Sequence, residues 1–239
     1  MQEVAKMLLG DPRMPKLFDD VDGDIRRFIS EHGLFGMIGG WEGSQRFSEI
    51  MADRRRIREW RHPNGYARDI VVHETATVHP SVVIEGLTLI GPYCEVRANA
   101  VIRAGTWLMR SCVVGSFCEV KNSLFFPGAH ASHQNYVGDS ILGRDVNLGA
   151  GVKLANFRHN GGLITIKAHL DTDDRIVTGL RKCGAILGDG VKIGCGSVLS
   201  PGTVIGAGAL VHEMTPMRSG VYEGNRRYWI ERQVSASDI

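Results

Sequence analysis

From Val78 onward the chain places an aliphatic residue at every sixth position: Val78, Ile84, Ile90, Val96, Ile102, Leu108, Val114 and Val120. Four residues after each stand Val82, Thr88, Cys94, Ala100, Thr106, Cys112, Cys118 and Leu124, a second inward slot filled mostly by small residues. A helix repeats about every 3.6 residues and an amphipathic strand about every 2, so a period of six means a short strand plus a corner, many times over. That is a solenoid. The pattern resumes as Tyr136, Leu142, Leu148 and Leu154, and again as Leu187, Ile193, Leu199, Ile205 and Val211, each time in a new phase. Register is therefore expected to break at about 126–136 and about 155–186, with loops leaving the coil at both places.

The two ends lack the hexad. Within residues 1–70, FDDVDGDIRRFISEHG and SQRFSEIMADRRRIREW read as short helices around the turn GMIGGWEGS. That glycine run lacks the Lys-Ser/Thr and the preceding apolar strand of a phosphate loop. Residues 213–239, containing YEGNRRYWIERQ, predict a helical cap over the open end of the array. The expected organisation is an N-terminal helical segment over 1–70, a solenoid over 71–212 with an excursion at about 158–183, and a C-terminal cap over 213–239.

Charge changes this picture little. Lysine plus arginine number 28 against 26 acidic residues, a net of +2, which gives no reason to expect a nucleic-acid or membrane-surface partner. The basic run Arg54, Arg55, Arg56, Arg58 and Arg61 reads as a solvated helix face or an oligomer contact, because stacking aromatics do not interleave it beyond Trp60. No segment approaches the ~20 apolar residues of a membrane span and no secretory leader is apparent, so a cytoplasmic protein is expected. Five cysteines without a CxxC or finger-type spacing argue for reduced thiols and against a structural zinc site. Cys94 and Cys112, 18 residues apart, are expected to stack as small core residues.

The stretch HASHQNYVGDS, 130–140, interrupts the aliphatic rhythm with His130, His133, Gln134, Asn135 and Tyr136. Asn147 and Asn156 flank the second break. Arg103 and Lys121 are also 18 apart and are expected to share one outer face, within reach of one anion, or else to be two solvated side chains that happen to stack. His133 is either a solvated loop histidine or a general base, and His130 reads as a bystander.

Laid side by side, IRAG with Arg103, CEVKNS with Lys121, SHQNYVGDS with His133 and Tyr136, NLGAG with Asn147 and Ala150, and ANF with Asn156 and Phe157 resemble the motifs of one family without a gap. It is the left-handed β-helix acetyltransferases that act on amino-sugar 1-phosphates, found as the C-terminal domain of bifunctional glucosamine-1-phosphate acetyltransferase/uridylyltransferases. The later TGLRKCGAILGDGVKIG looks more like the short bacterial and archaeal-type forms. The resemblance implies a left-handed parallel β-helix and acetyl transfer from acetyl-CoA to the amine of glucosamine 1-phosphate or a related hexosamine phosphate. It implies a homotrimer, and no metal for the acetyl transfer.

It also implies roles. His133 would be the base that takes the proton an amino sugar must lose before attacking a thioester. Arg103 and Lys121 would hold the phosphate, and Tyr136, Asn147 and Asn156 the sugar and acetyl group. Ala150, Phe157 and Cys195 would line the coenzyme. A backbone N–H of the GAG coil is a plausible donor to the thioester oxyanion. Where the family carries a lysine soon after the Asn-Phe/Tyr pair, this chain reads RHNGGLITIK, with Arg158, His159 or Lys167 as the available substitutes. Residues 1–70 are too few for a nucleotidyltransferase domain, so no uridylyl transfer is expected. A non-catalytic trimeric scaffold that binds a sugar phosphate or sugar nucleotide is the alternative, and a metal-dependent hydratase on the same fold lacks the three convergent histidines it would need.

Overall fold

In the computed structural model the described residues are 70–231, apart from 87, 169, 171 and 172. Strands of two to four residues stack in parallel into three walls of eight, eight and seven strands. The first wall begins with Ile70–Val72 and Thr88–Ile90, the second with Thr77–Val78 and Glu95–Val96, the third with Val83–Ile84 and Val101–Arg103. Successive rungs are in strict register, as in Val78 against Val96 against Val114, or Ile84 against Ile102 against Val120. One aliphatic residue per strand points inward, so each rung adds three side chains to a continuous core, each stabilising by about 1.5–3 kcal/mol when fully buried. Parallel stacking is possible here because each chain crossing to the next rung passes through the other two walls.

The small inward slot has a second physical reason. Buried corner carbonyls need donors, and the slot side chains supply them. Cys94 donates to the Met109 carbonyl at 2.6 Å, Cys112 to that of Phe126 at 3.1 Å, and Thr106 to that of Arg103 at 2.8 Å. The thiols are thus core groups with a polar duty, and none of the four buried cysteines forms a disulfide.

The structure corrects the reading of the phase shifts. The inward residue after Val120 is Phe125, five positions on, and the series then runs Ala131, Val137, Leu142, Leu148 and Leu154, all buried. Two corners between the third and first walls have simply lost one residue, at 121–124 and at 138–141. Leu124 is therefore not in the inward slot, which Ser123 fills, and Tyr136 faces outward beside the inward Val137. No loop leaves the coil at 126–136. His130–His133 is a strand of the second wall, and Asn135 is a buried corner plug that donates to the Gly149 carbonyl at 2.7 Å.

The second interruption is a true excursion. After Leu154 the chain forms an antiparallel hairpin of Thr165–Lys167 and Arg175–Val177, tied at its base by a bridge between Phe157 and Lys182, and rejoins the first wall at Ala185–Leu187. Ile164, Ile166 and Ile176 are buried, with Ile164 and Ile166 lying over Gly202, and Ser219 Oγ donates to the Thr165 carbonyl at 2.8 Å.

The predicted C-terminal helix is also corrected. Pro216–Met217, Gly220–Tyr222 and Arg227–Tyr228 are strands that add a further coil. The inward series continues as Met217, Tyr222 and Tyr228, residue types an aliphatic count passes over. Tyr222 and Tyr228 meet edge to face at 5.2 Å, and their hydroxyls donate to the carbonyls of Arg218 and Glu223. The helical segment expected over 1–70 lies outside the described residues, except for Ile70, which opens the first wall. No helix among the described residues is long and apolar enough to cross a membrane.

Candidate functional site

The third wall carries a polar cluster. Its outward positions stack in two columns, Glu119 below Tyr136 below Lys153, and Arg103 below Lys121 below Gly138. Arg103 and Lys121 are direct register partners, as their spacing implied. Each cation already has a carboxylate. Arg103 donates to Glu119 at 3.0 Å and to Glu85 at 3.4 Å, the Glu119 bond being the main cause holding the guanidinium above its ordinary value. Lys121 Nζ lies 3.8 Å from Asp139 Oδ2.

Above Lys121 the wall carries no side chain longer than a methyl, because Gly138 and then Ala155 occupy that column. The gap is filled from both sides. A Cβ on Gly138 would come within 2.7 Å of both the Tyr136 hydroxyl and Asn156 Nδ2. Tyr136 donates its hydroxyl to Asn156 Oδ1 at 3.4 Å. Burial, then the negative charges of Glu119 and Asp139, push the Tyr136 phenol above its ordinary value, so it stays a neutral donor at physiological pH.

Asn156 belongs to a corner column that alternates amide and carboxylate. Asn122 Nδ2 donates to Asp139 Oδ1 at 2.7 Å, and Asn156 Nδ2 donates to Asp139 Oδ2. The chain spacing within this column is 17 rather than 18, because both coils use the shortened corner. Asn122 and Asp139 adopt left-handed backbone angles of 44° and 47°, which short polar side chains tolerate.

His133 stands on the adjoining corner, between the second and third walls, with its side chain exposed. The coil fixes its backbone, since its N–H donates to Asn135 Oδ1 at 3.0 Å and its carbonyl accepts from Gly151 at 2.9 Å. Among the described residues its imidazole has no hydrogen-bond or ionic partner. Register places Ala150 one rung above His133 and Cys195 one rung above Ala150, the latter step marked by the Gly196 N–H bonded to the Ala150 carbonyl at 2.8 Å. Both are exposed, so His133, Ala150 and Cys195 form one corner column.

Two expected site residues are not brought to the cluster. Asn147 is exposed on the second wall, in register with His130 and Lys192 and a full wall away from Arg103 and Lys121. Phe157 sits at the base of the excursion, half exposed. Of the substitutes for the family lysine, Arg158 is bonded to the Leu163 carbonyl at 3.0 Å and Lys167 lies in the hairpin opposite Arg175, leaving His159 on the exposed turn. Glu85, Glu119, Asn122 and Asp139 are cluster members that the sequence reading did not single out. The repeated 17-residue spacing of Asn122 and Asp139 with Asn156 is the signal that could have found two of them.

No family model matches the chain. It is 32% identical over 134 residues to a bifunctional protein GlmU of Thermodesulfovibrio yellowstonii, covering 54% of this chain and 28% of that protein. It is 40% identical over 90 residues to the GlmU of Nitrosomonas eutropha, covering 38% of this chain and 19% of that one. It is 34% identical over 125 residues to a bifunctional sugar-1-phosphate nucleotidylyltransferase/acetyltransferase of Sulfurisphaera tokodaii, covering 52% and 30%. The chain thus spans less than a third of the length of these relatives, and they come from the group whose motifs it resembles. Among solved structures, a GDP-perosamine N-acetyltransferase of Caulobacter crescentus in complex with CoA and GDP-perosamine is similar at a TM-score of 0.36 and 17% identity, over 62% of this chain and 50% of that one.

Proposed function

We propose that this β-solenoid transfers acetyl from acetyl-CoA to the amine of glucosamine 1-phosphate or a closely related hexosamine phosphate. The observation that carries this reading is the contiguity of the third wall and its corner. Two stacked cations, a neutral tyrosine hydroxyl and an oriented asparagine lie on one wall, and an exposed, unengaged histidine stands at its edge. Arg103 and Lys121 bind the phosphate by exchanging carboxylate partners for it. Tyr136 and Asn156 hold the sugar. His133 takes a proton from the amine as the nitrogen attacks the thioester carbon, the N–C bond forms, the C–S bond breaks, and the proton passes to the departing thiolate.

The developing oxyanion needs an N–H donor. Gly149 and Gly151 in the GAG coil already donate to the carbonyls of Ile193 and His133, at 2.7 and 2.9 Å. That leaves the Ala150 amide, one rung above His133, as the donor in this stretch. Cys195 and Phe157 extend the coenzyme groove.

Asn147 lies on the second wall, away from this cluster. A homotrimer, in which one copy brings its second wall against the third wall of another, unites Asn147 with the cluster and closes the groove. The test is a thiol-release assay with acetyl-CoA and the 1-phosphates of glucosamine, galactosamine and mannosamine, with a nucleotidyltransferase assay as blank. Thiol release with a hexosamine phosphate is expected, and a folded protein that releases none overturns the reading. One observation favours a scaffold instead: both cations are already neutralised by carboxylates. Sugar-phosphate binding without thiol release would support that alternative.

A further inference from the structure

We propose that Asp139 is the positioning residue of the third wall: it fixes Asn156 with its carbonyl oxygen toward the substrate side and draws the Lys121 ammonium in beside it. The inference rests on the acetyltransferase reading above for its kinetic consequences, but its structural content stands independently.

The argument begins from burial. The Asp139 side chain is 6% exposed. A carboxylate withdrawn from water costs several kcal/mol unless its lone pairs are satisfied. Asp139 has three partners: the amides of Asn122 and Asn156 and, at 3.8 Å, the Lys121 ammonium. Its backbone is held as well, donating to the Lys121 carbonyl at 2.9 Å and accepting from Gly184 at 2.8 Å, where the chain returns from the excursion. Asp139 is therefore pinned to the coil below and to the strand that resumes above.

An asparagine presents a donor on one side and an acceptor on the other, and the two ends are nearly the same shape. An ionised carboxylate only accepts. The atom of Asn156 that faces Asp139 must then be Nδ2, which turns Oδ1 toward the hydroxyl of the outward-facing Tyr136. The acceptor so presented suits a hydroxyl or amine donor on a sugar. Without the carboxylate, either end of the amide can face inward and Lys121 loses its inner partner. The column ends at Asn156 because the chain leaves the coil there, so the last amide of the ladder is the one that meets substrate.

Asp139→Asn removes the charge while keeping the shape. In the full-length variant the KM for glucosamine 1-phosphate is expected to rise tenfold or more, while that for acetyl-CoA changes less than twofold. Adding Asn156→Ala to Asp139→Asn should then add little. Equal losses for both substrates, or full additivity of the two substitutions, would reduce Asp139 to a structural residue and overturn the proposal. A second measurement needs neither activity nor a variant. The side-chain amide protons of Asn156, assigned by NMR in the wild-type protein, should exchange slowly with solvent, and fast exchange overturns the proposal even if Asp139→Asn fails to fold. If no acetyl transfer is found at all, the functional reading fails while the exchange rates still decide the role of Asp139.

Discussion

The guanidinium of Arg103 donates to the carboxylate of Glu119 across 3.0 Å, so the cation assigned to the sugar phosphate already faces an anion one rung above it. Both side chains are about two-fifths exposed. An exposed pair of this kind contributes only about 0–1 kcal/mol to stability, so its meaning lies in competition for the guanidinium. Glu119→Gln should strengthen glucosamine 1-phosphate binding by roughly two- to fivefold, because it removes a like charge beside the incoming phosphate. Arg103→Ala should weaken binding about tenfold, and neither should move the melting temperature appreciably. Calorimetric titration at two salt concentrations checks both, and unchanged affinity in either variant would remove Arg103 from the phosphate site.

His133→Ala tests the chemistry apart from binding. Loss of a general base is expected to lower turnover by roughly 100-fold or more. The KM for the sugar phosphate should stay within a few-fold, since the contacts proposed for the phosphate and sugar belong to the neighbouring wall. Steady-state thiol release measures this directly. Turnover equal to the wild type would exclude His133 as the base.

The difference between what the hexads revealed and what they hid has a physical basis. Inward positions such as Val96, Ile102 and Leu108 must be apolar, so burial wrote a period into the sequence that can be counted. A corner shortened by one residue leaves the stacking intact and shifts only the phase, and the same shift is produced by an excursion. Sequence alone therefore cannot tell the shortened corners at 121–124 and 138–141 from a loop, and the count puts Tyr136 inward where Val137 belongs. The cations were legible because Arg103 and Lys121 keep the unbroken 18-residue spacing. Asp139 was not, because its two amide partners lie 17 residues either side, across shortened corners. The last coil was missed because tyrosine fills the core at 222 and 228, where an aliphatic residue was sought.

The thiols provide a test of burial and of the coenzyme groove together. Cys94, Cys112, Cys118 and Cys183 are buried and Cys195 is exposed. Native protein treated with a maleimide should therefore label at Cys195 and at no other cysteine, as read by peptide mass spectrometry. Acetyl-CoA should slow that labelling if Cys195 lines the groove above Ala150. Labelling at an undiminished rate under saturating acetyl-CoA would remove Cys195 from the coenzyme site.

Burial pushes the Cys183 thiol from 9.0 up to about 11, and raises Cys112 and Cys118 in the same direction. A group whose folded pKa is raised holds its proton in the folded state while the unfolded chain releases it. The contribution is fully present below pH 9 and is lost as pH rises toward about 11. Between those values the Cys183 thiol lowers stability by about 1.4 kcal/mol per pH unit. Urea unfolding under reducing conditions at intervals from pH 8 to 11 should show this decline, and Cys183→Ala should make it shallower. If the wild-type and variant curves run parallel above pH 9, Cys183 is not a source of the alkaline loss.

Two glycines that look alike in sequence should respond differently to alanine. At Gly115 on the second wall a Cβ would overlap the backbone carbonyl of Ser132 on the next rung. Backbone atoms in a stacked coil cannot retreat without breaking the ladder on either side, so Gly115→Ala should destabilise by about 1–3 kcal/mol or more. At Gly138 the Cβ would meet Asn156 Nδ2 and the Tyr136 hydroxyl, both at 2.7 Å. These are the ends of side chains, which yield more readily than backbone, although Asn156 is buried and bonded to Asp139. Gly138→Ala should therefore destabilise less than Gly115→Ala, while it drives Tyr136 and Asn156 apart and raises the KM for glucosamine 1-phosphate several-fold. Thermal unfolding and steady-state kinetics on the two variants separate the outcomes. Gly138→Ala with a wild-type KM would mean that the Tyr136–Asn156 contact has no part in holding the sugar, and a stable Gly115→Ala would mean that the rungs can separate more easily than their register implies.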